Sequence, residues 1–443
     1  MNKATFLKHT KHFFQGLLLG ILLFGILAGS LFLWWAVRPS TYQVNPRLDF
    51  QNEVYVSNGR HNANTDLIYW NGYYYFIYAN QPGNQGSTTT FLSLNRGDDF
   101  HNMTEIMQLR VPDEDIRDPK FAVINNQLFI YYLNNKGIMA IPYGTQYVNS
   151  SDGLTFSTPA IVPGQQDWCF WKPKTLDNVT WYCTAYSNDQ NEIILLNSTD
   201  GITWAKVSTI LGDGIGISEP ELTFLSDGRM LVTIRNERHP TTVFGSTDAG
   251  TGLAIAAPPY TTWNYTLDTL TKLDGPALFN LNDTSNTTRY FAVGRFQPER
   301  DSVFTALGSV FARKRTSLFE FVNLNSTPEL KYISDLPSSG DTAYEGVIIE
   351  GDRLYITYYS SDPSKDPAWM LGLFIPSDIY LVNISITSLF DAADNPLDPS
   401  NVLPWDNYII FFGNIGFELC IVIWLFRKHS GNRRKKKVVP TND

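Results

Sequence analysis

The sequence has little of what metal, redox and nucleic-acid proteins need. It contains three cysteines and six histidines in 443 residues, and no His/Asp cluster has the spacing of metal ligands. We therefore predict no metal and no cofactor. Positive charge is also scarce, because 24 Lys and Arg face 41 Asp and Glu between the two apolar segments described below. Such an acidic domain repels nucleic acid, so that ligand is not expected.

The cysteines predict at most one structural cross-link. Cys169 and Cys183 lie on the approach to, and on the second strand of, one predicted hairpin, where they can face each other. A disulfide there would close a loop of about 14 residues and contribute roughly 3 kcal/mol in the chain-entropy model. Cys420 lies in an apolar segment. We expect a staple and not a redox site.

The chain does contain a repeated unit, made of an apolar run, a tight polar turn and an aromatic-rich run. It occurs six times, roughly 50 to 70 residues apart. Each copy has the apolar pattern of a buried strand, and several turns contain Asn-Gly, Asp-Gly or Gly-Asp, which favours a β-hairpin. Hairpins repeated at this period predict an all-β fold, a six-bladed β-propeller. The copies begin at Asp66, Lys120, Lys172, Glu221, Ala277 and Asp341.

A second element lies between the hairpins, and we interpret it as structural. In this turn the Asp side chain accepts backbone N–H bonds, Gly supplies a positive φ, and the aromatic residue packs beneath the blade. Asp98, Asp152 and Asp200 are therefore predicted to fold the outer hairpins. The copies are SLNRGDDF from Ser93, SSDGLTF from Ser150, STDGITW from Ser198 and a degenerate STDAGTG from Ser246.

Two apolar segments flank the hairpins and predict transmembrane helices. Residues 13–37 carry no charge and residues 408–426 carry only Glu418, so each can span about 30 Å of hydrocarbon. We interpret the first as an uncleaved signal anchor, because its apolar part exceeds that of a signal peptide. The basic tails 1–12 and 427–443 are placed in the cytoplasm by the positive-inside rule. The domain at 40–400 is then extracellular, or luminal, on a cell membrane.

Glycosylation sequons agree with an outside location. Nine Asn-X-Ser/Thr sequons occur, and all of them lie between the two apolar segments. This number in one domain predicts N-glycosylation of its surface. The candidate residues are Asn102, Asn149, Asn178, Asn197, Asn264, Asn282, Asn286, Asn325 and Asn383.

Propeller geometry predicts where the chemistry gathers. The first strand of each blade runs near the central axis, so the residues just before those strands collect around one pocket. Arg235 joins them, because an antiparallel hairpin returns its end to the start of the strand at Glu221. Guanidinium, carboxylate, phenol and indole groups together suit an acidic or polyhydroxylated sugar. The other candidates are Arg60, His61, Asn62, Asp66, Arg117, Asp118, Trp168, Trp171, Lys172, Glu219, Glu221, Asp274, Tyr344 and Glu345.

Residues 55–387 resemble the sialidase, or neuraminidase, superfamily, and most of all its sialidase-like Asp-box proteins from bacteria and archaea. The passages that carry the resemblance are the Asp-box turns, SEPELTFLSDGRMLVTIRNE from Ser218 and GDTAYEGVIIEGDRLYITYYSS from Gly340. The resemblance implies a sialidase-like propeller with the activity of an exo-sialidase-like glycoside hydrolase on acidic sugars of surface glycans.

The resemblance also implies roles for individual residues. Tyr344 matches the nucleophile, and Glu219 matches the carboxylate that accepts its proton. Three arginines of the family surround the substrate carboxylate, and they match Arg235, Arg315 and Arg60. The family's Asp acid/base has no counterpart, because the loop after the first hairpin, NQPGNQGSTTTF, contains no Asp or Glu.

Two other functions stay open. Asp66, Asp118 and Glu219 also look like the base, pKa modulator and acid of arabinanase- and levanase-type glycosidases, although those folds have five blades. A membrane-tethered glycan-binding propeller would keep the aromatic and arginine groups without needing a nucleophile. In each case the expected partners are a glycan and the lipid bilayer, while the sugar, the linkage and the oligomeric state stay open.

Overall fold

The computed structural model describes residues 3–37, 41–237, 249–298, 309–399, 412–413, 415–425 and 427. They belong to two compact units. One unit comprises residues 40–402, and the other comprises residues 1–39 and 403–443. Residues 408–411, 414 and 426 of the predicted second membrane segment lie outside the described residues. The same holds for residues 428–443 of the predicted basic tail.

The larger unit is a ring of six antiparallel sheets, which confirms the predicted all-β, six-bladed propeller. The inner strands of neighbouring blades pack side by side from the fourth blade through the fifth, sixth and first to the second. The third blade contacts the second and the fourth through other strand pairs. The outer edge of the sixth blade is β1 (Phe50–Val56), which pairs with β25 (Asp378–Ser385). Strands from both ends of the domain therefore share one sheet, and this pairing closes the ring.

The strands of each blade follow from the inside outward. The first blade holds β2 His61–Trp70, β3 Tyr73–Gln81, β4 Phe91–Gly97 and β5 Thr104–Leu109. The second holds β6 Asp115–Ile124, β7 Gln127–Lys136, β8 Ile141–Ser150 and β9 Ala160–Ile161. The third holds β10 Trp168–Phe170, β11 Lys174–Thr175, β12 Trp181–Ser187, β13 Ile193–Ser198 and β14 Ala205–Leu211.

The other three blades repeat this order. The fourth holds β15 Ile217–Phe224, β16 Met230–Asn236, β17 Gly250–Ala256 and β18 Asn264–Asp268. The fifth holds β19 Leu273–Asn282, β20 Thr288–Phe296, β21 Arg315–Val322 and β22 Glu329–Asp335. The sixth holds β23 Thr342–Glu350, β24 Arg353–Ser360, β25 and β1.

Local turn chemistry explains these hairpins. Asn71 and Gly72 have φ angles of 50° and 85°, the left-handed pair that a two-residue turn needs to match the strand twist. The Asp-box turns that the structure describes are structural, as predicted, and residues 246–248 of the degenerate fourth copy lie outside the described residues. Asp152 accepts backbone N–H bonds of 2.8 and 2.7 Å, and Asp200 does the same. In the first copy the turn residue is Asp99, with two such bonds of 2.8 Å, and not the predicted Asp98.

The predicted disulfide is absent, since Cys169 and Cys183 are both free and fully buried. Cys169 pairs with Tyr186 across β10 and β12, three residues from Cys183. Side chains alternate along a strand, so an odd offset places the two sulfurs on opposite faces of the sheet. Each thiol packs in a different apolar cluster, Cys169 beside Trp171 and Cys183 beside Phe170.

The described residues also form helices. They include α1 (Lys3–Val37), α2 (Trp369–Gly372) and α3 (Ile386–Asp394). Within α1, Phe13–Ser30 is long and apolar enough to cross a membrane. In the described part of the C-terminal segment, the apolar helix Ile415–Leu425 is shorter than a full span. The N-terminal span is thus supported by length and composition, and the C-terminal span stays a prediction.

Candidate active site

One backbone distortion recurs in five blades and builds the site. In each of these blades the inner strand is bulged, and one residue there has a left-handed φ between 51° and 54°. A bulge re-aims a side chain, and this φ costs energy for most residues other than glycine, asparagine and aspartate, which makes Glu219 and Tyr344 the strained members of the set. Strain repeated at one level of the ring indicates a functional site. The five residues are Asn64, Asp118, Glu219, Gly275 and Tyr344.

Tyr344 and Glu219 form the predicted pair. The Tyr344 hydroxyl donates to Glu219 Oε1 at 2.5 Å. The same oxygen accepts a bond of 2.7 Å from Arg235, and Glu219 Oε2 accepts the Gly275 N–H at 2.7 Å. Glu219 is thus fixed by three donors, one of which is the phenol. The pair is almost fully buried, with both residues 7% exposed.

Two arginines stand over this pair. Arg235 is oriented by Glu219 and by Glu237, whose carboxylate lies 2.7 Å away. The Arg295 guanidinium lies 5.3 Å from the centre of the Tyr344 ring. Arg295 is held by Asp274 at 3.2 Å and by Asp341 at 3.4 Å. Their carboxylate partners therefore fix both guanidinium groups before any ligand arrives.

Burial and charge set the protonation of the pair. Burial raises the pKa of Tyr344 well above its usual value, and the Glu219 carboxylate adds to this effect. Arg295 and Arg235 act in the opposite direction on the same pKa. The phenol is therefore neutral near pH 7 and carries its proton toward Glu219.

The pair opens into a cavity of about 550 Å³. Its polar residues include Asn64, Arg117, Asp118, Glu219, Arg235, Arg295 and Tyr344. The mouth is apolar, since Ile138, Met139 and Phe374 line it and are 75%, 77% and 63% exposed. This arrangement suits a ligand with a polar, acidic part inside and an apolar part at the mouth. Within the described residues, no group of three His, Cys, Asp or Glu side chains is placed to hold a metal ion.

Several predicted residues lie in this cavity, and Arg117 serves a structural purpose there. It is bound to Asp115 at 2.7 Å and donates to the backbone carbonyls of Asn84 and Gln85 at 2.9 and 2.8 Å. Arg117 therefore anchors the loop between β3 and β4 of the first blade. Asp118, next in sequence, is half-buried and faces the cavity.

The structure places several other predicted residues outside the cavity lining, and these include Arg315, Asp66, Arg60 and Trp168. Arg315 begins the third strand of its blade, is fully buried and pairs with Asp366 at 2.6 Å. Asp66 is also fully buried, where it accepts Lys172 Nζ at 2.6 Å and the Phe121 N–H at 2.7 Å. The Asp66 carboxylate and the Arg315 guanidinium are therefore both buried and bound by partners inside the protein.

Arg60 and Trp168 complete this set. The Arg60 side chain donates to Asn80 at the inner end of the first hairpin. Trp168 packs against the apolar cluster between the second and third blades. The indole near the site is Trp171, whose ring centre lies 6.1 Å from that of Tyr344. Neither indole lines the cavity.

Sequence reasoning missed Arg295, Asn64 and Gly275. Arg295 carried a usable signal, since it pairs with Asp274 in the fifth blade as Arg235 pairs with Ser218 in the fourth. Both arginines therefore end the second strand of a hairpin. Asn64 and Gly275 are recognisable only by their φ and their bulges.

Glu345, next to the nucleophile candidate, is a buried acid with an unusual environment. It is 2% exposed, and neither of its carboxylate oxygens accepts a hydrogen bond from another described residue. Burial raises its pKa to about 8. The folded state thus holds this proton at a pH where the unfolded chain has lost it, so Glu345 costs stability as pH rises from about 4.5 toward 8.

We expect Glu345→Gln to remove this loss. At pH 8 the variant should unfold at a higher Tm than the wild type, by on the order of 2 °C per kcal/mol regained. At about pH 3 the two should agree, because the wild-type acid is then protonated in both the folded and the unfolded state. Calorimetry at both pH values checks this, with the exposed Glu329→Gln as the matched control. An equal Tm change at both pH values would contradict it.

Comparisons with known proteins agree with this fold. No family model matches the chain, and no curated protein matches it significantly. Among solved structures, the phage phi92 endosialidase has a TM-score of 0.55 at 11% identity, covering 76% of this chain and 69% of that one. A Trypanosoma rangeli sialidase mutant displaying trans-sialidase activity has a TM-score of 0.54 at 11% identity, covering 80% and 61%.

A third similar structure is an α-L-arabinofuranosidase from Fusarium graminearum, at a TM-score of 0.52 and 11% identity, covering 80% of this chain and 99% of that one. At such identities the comparison shows the fold. The chain therefore has the propeller fold of sialidase-like and related glycosidase proteins, with a phenol–carboxylate pair in its central cavity.

Proposed function

We propose that the chain is a sialidase-like glycoside hydrolase that acts on acidic sugars of surface glycans. The observation that supports this most is the 2.5 Å hydrogen bond from Tyr344 to Glu219 beneath two oriented arginines. A hydroxyl becomes a useful nucleophile when an adjacent base takes its proton, and Glu219 stands in that position.

In the first step the Tyr344 oxygen attacks the anomeric carbon while the bond to the glycosidic oxygen breaks. The phenol proton passes to Glu219. In the second step water attacks the same carbon, Tyr344 departs, and it regains its proton from Glu219. Two displacements at one carbon retain its configuration. A neutral phenol avoids the repulsion that a carboxylate nucleophile would meet from an acidic sugar.

We assign the binding of the sugar carboxylate to Arg235 and Arg295. Guanidinium groups bind carboxylates with two parallel hydrogen bonds, and both groups line the cavity beside Tyr344. The supposed third arginine, Arg315, is occupied by Asp366 inside the fifth and sixth blades. In this proposal two arginines bind the sugar carboxylate, where the resemblance implied three.

The three-carboxylate alternative is disfavoured by Asp66. Its oxygens accept bonds from Lys172 and from two backbone N–H groups, and the residue is fully buried. It is therefore not placed to act as a base on water in the cavity. Glycan binding without catalysis stays as the second candidate and is separated by the experiment below.

Location outside the cell membrane is part of the proposal. It is supported by the apolar helix Phe13–Ser30 and by the nine sequons, none of which is buried in the structure. Asn149, Asn197 and Asn383 are half-buried in strands, and the other six sequon residues are exposed. We expect glycosylation first at those six.

The proposal is tested by hydrolysis of a fluorogenic sialoside by the full chain, with a neutral pyranoside of the same aglycone beside it. We expect turnover of the sialoside. Arg295→Gln should raise its KM by about 10- to 100-fold, the loss of a charge-assisted hydrogen-bonded pair. The exposed Arg110→Gln is the control. Turnover of only the neutral substrate would overturn the acidic-sugar assignment, and sialoside binding without turnover would favour the glycan-binding function.

A further inference from the structure

The glycosidic oxygen needs a proton as it leaves, and the cavity offers few groups that can give one. The loop where sialidase-like proteins would carry an acid has no Asp or Glu. Among the described residues that line the cavity, only Glu219 and Asp118 carry carboxyl groups. Glu219 is already held by Tyr344, Arg235 and the Gly275 N–H. Asp118 is thus the one carboxyl in this lining that is left for the leaving group.

Asp118 is built into the site by the same device as the Tyr344–Glu219 pair. All three residues occupy bulges with left-handed φ, and they belong to the second, fourth and sixth blades of the ring. Alternate blades face the axis from directions that are well separated. Asp118 therefore approaches a sugar on the axis from a different side than the nucleophile does, as a proton donor must.

One oxygen of Asp118 is held and the other is available. Oδ1 accepts the side-chain N–H of Asn64 at 2.5 Å, and Oδ2 accepts no hydrogen bond from the described residues. Asn64 occupies the equivalent bulge of the first blade. The amide thus orients the carboxyl without neutralising it, since Asn is not a cation.

The surroundings of Asp118 favour a carboxyl that exchanges its proton near neutral pH. Burial raises its pKa to about 6 and Glu219 adds to this, while Lys120 and Arg117 oppose it. The Arg117 charge is largely matched by Asp115 at 2.7 Å. The other titratable groups whose electrostatics are coupled to Asp118 are Cys169, Tyr186 and Tyr344.

We propose that Asp118 is the acid and base of this glycosidase. In the first step its carboxyl O–H donates the proton to the departing glycosidic oxygen as the Tyr344–carbon bond forms. In the second step the Asp118 carboxylate takes a proton from the attacking water, so both proton and electron pair balance over one turnover. This inference rests on the proposed function, and it replaces the missing loop acid with a residue of the second blade.

The test compares leaving groups in the full chain. For an alkyl sialoside, whose leaving oxygen needs the proton, Asp118→Asn should lower kcat by about 10²- to 10⁴-fold. For a nitrophenyl sialoside, whose leaving group departs unprotonated, the first step should be much less affected. Wild-type kcat/KM for the alkyl substrate should also fall as pH rises above about 6, because only the protonated acid donates. In Asp118→Asn this fall of kcat/KM with rising pH should be absent.

A matched control separates chemistry from structure. Asp213 is exposed, has a left-handed φ of 54° and lies in the loop between β14 and β15, so Asp213→Asn makes the same change on a similar backbone. It should leave both substrates unaffected. If Asp118→Asn lowered kcat equally for both substrates and kept the fall in kcat/KM above about pH 6, the role of Asp118 would be overturned. The proposed function would stand. Wild-type chain that hydrolyses neither sialoside would overturn the proposed function and this inference together.

Discussion

Replacing Tyr344 by Phe is expected to lower sialoside turnover by about 10³-fold or more, because the substitution deletes the attacking oxygen and leaves the ring in place. Glu219→Gln should have a loss of similar size. An amide keeps the shape of the carboxylate, but it does not take the proton of the phenol, whose oxygen lies 2.5 Å from Glu219 Oε1. Steady-state kinetics of the purified full chain give both values.

The double variant sharpens this prediction. Residues that act as one unit are not additive, so Tyr344→Phe combined with Glu219→Gln should be little worse than either change alone. Tyr69→Phe is the control, since this tyrosine is 54% exposed and is not among the residues that line the cavity. The pair would not carry the reaction if the loss in the double variant equalled the product of the two single losses. The same conclusion would follow if either single variant kept wild-type turnover.

Gly275→Ala is expected to damage both stability and activity. A Cβ atom at Gly275 would lie 2.9 to 3.0 Å from three atoms of the Tyr344 ring, closer than real Cβ contacts allow. The residue also has a φ of +54°, which adds strain of about 1 kcal/mol for a non-glycine residue. We expect a loss of roughly 2 to 4 kcal/mol in unfolding free energy from clash and strain together. Turnover should fall by at least about tenfold, because a 1 Å shift of a reacting group is costly.

Gly351→Ala provides the matched comparison for this change. Gly351 has a φ of +60°, but its added Cβ would meet nothing within 4 Å. This variant therefore reports the backbone strain without the clash. Chemical denaturation and kinetics of both variants should show a small stability loss for Gly351→Ala with normal turnover. Equal effects of the two changes would show that Gly275 does not position Tyr344.

Sequence patterns predicted the propeller well because its blades are made by local chemistry. Apolar alternation and turn residues such as Asn71 and Gly72 act within a few positions, and each hairpin follows from its own segment. The pairing of Tyr344 with Glu219 was predicted by the resemblance to sialidases, and the position of both residues near the start of inner strands had already placed them among the candidates for the pocket. The repeat shows which strands are inner ones, because each copy begins with the inner strand of its blade.

The predictions that were wrong depend on details that no short segment encodes. Cys169 and Cys183 were paired from their proximity along the chain, but the register of β10 against β12 places them on opposite faces. Arg315 was assigned by resemblance, while the structure starts a third strand there and buries the guanidinium against Asp366. Register and radial position are set by the whole ring.

Two of the bulged positions could not be predicted from the sequence for a related reason. Asn64 and Gly275 carry no chemical signal of their own, yet they complete the ring that holds Asp118, Glu219 and Tyr344. Gly275 is required there because its N–H reaches Glu219 at 2.7 Å and the Tyr344 ring occupies the space of a Cβ. A glycine before a proline reads only as a turn until the fold is known.

The central claim is that Tyr344 forms a covalent bond with the sugar, and trapping tests it most directly. The full chain would be incubated with 2,3-difluorosialic acid, a probe that slows the second displacement, and then digested for mass spectrometry. We predict one added fluorosugar on the peptide that contains Tyr344, and none in Tyr344→Phe. An adduct on another residue, or hydrolysis of sialosides without any adduct, would contradict the account.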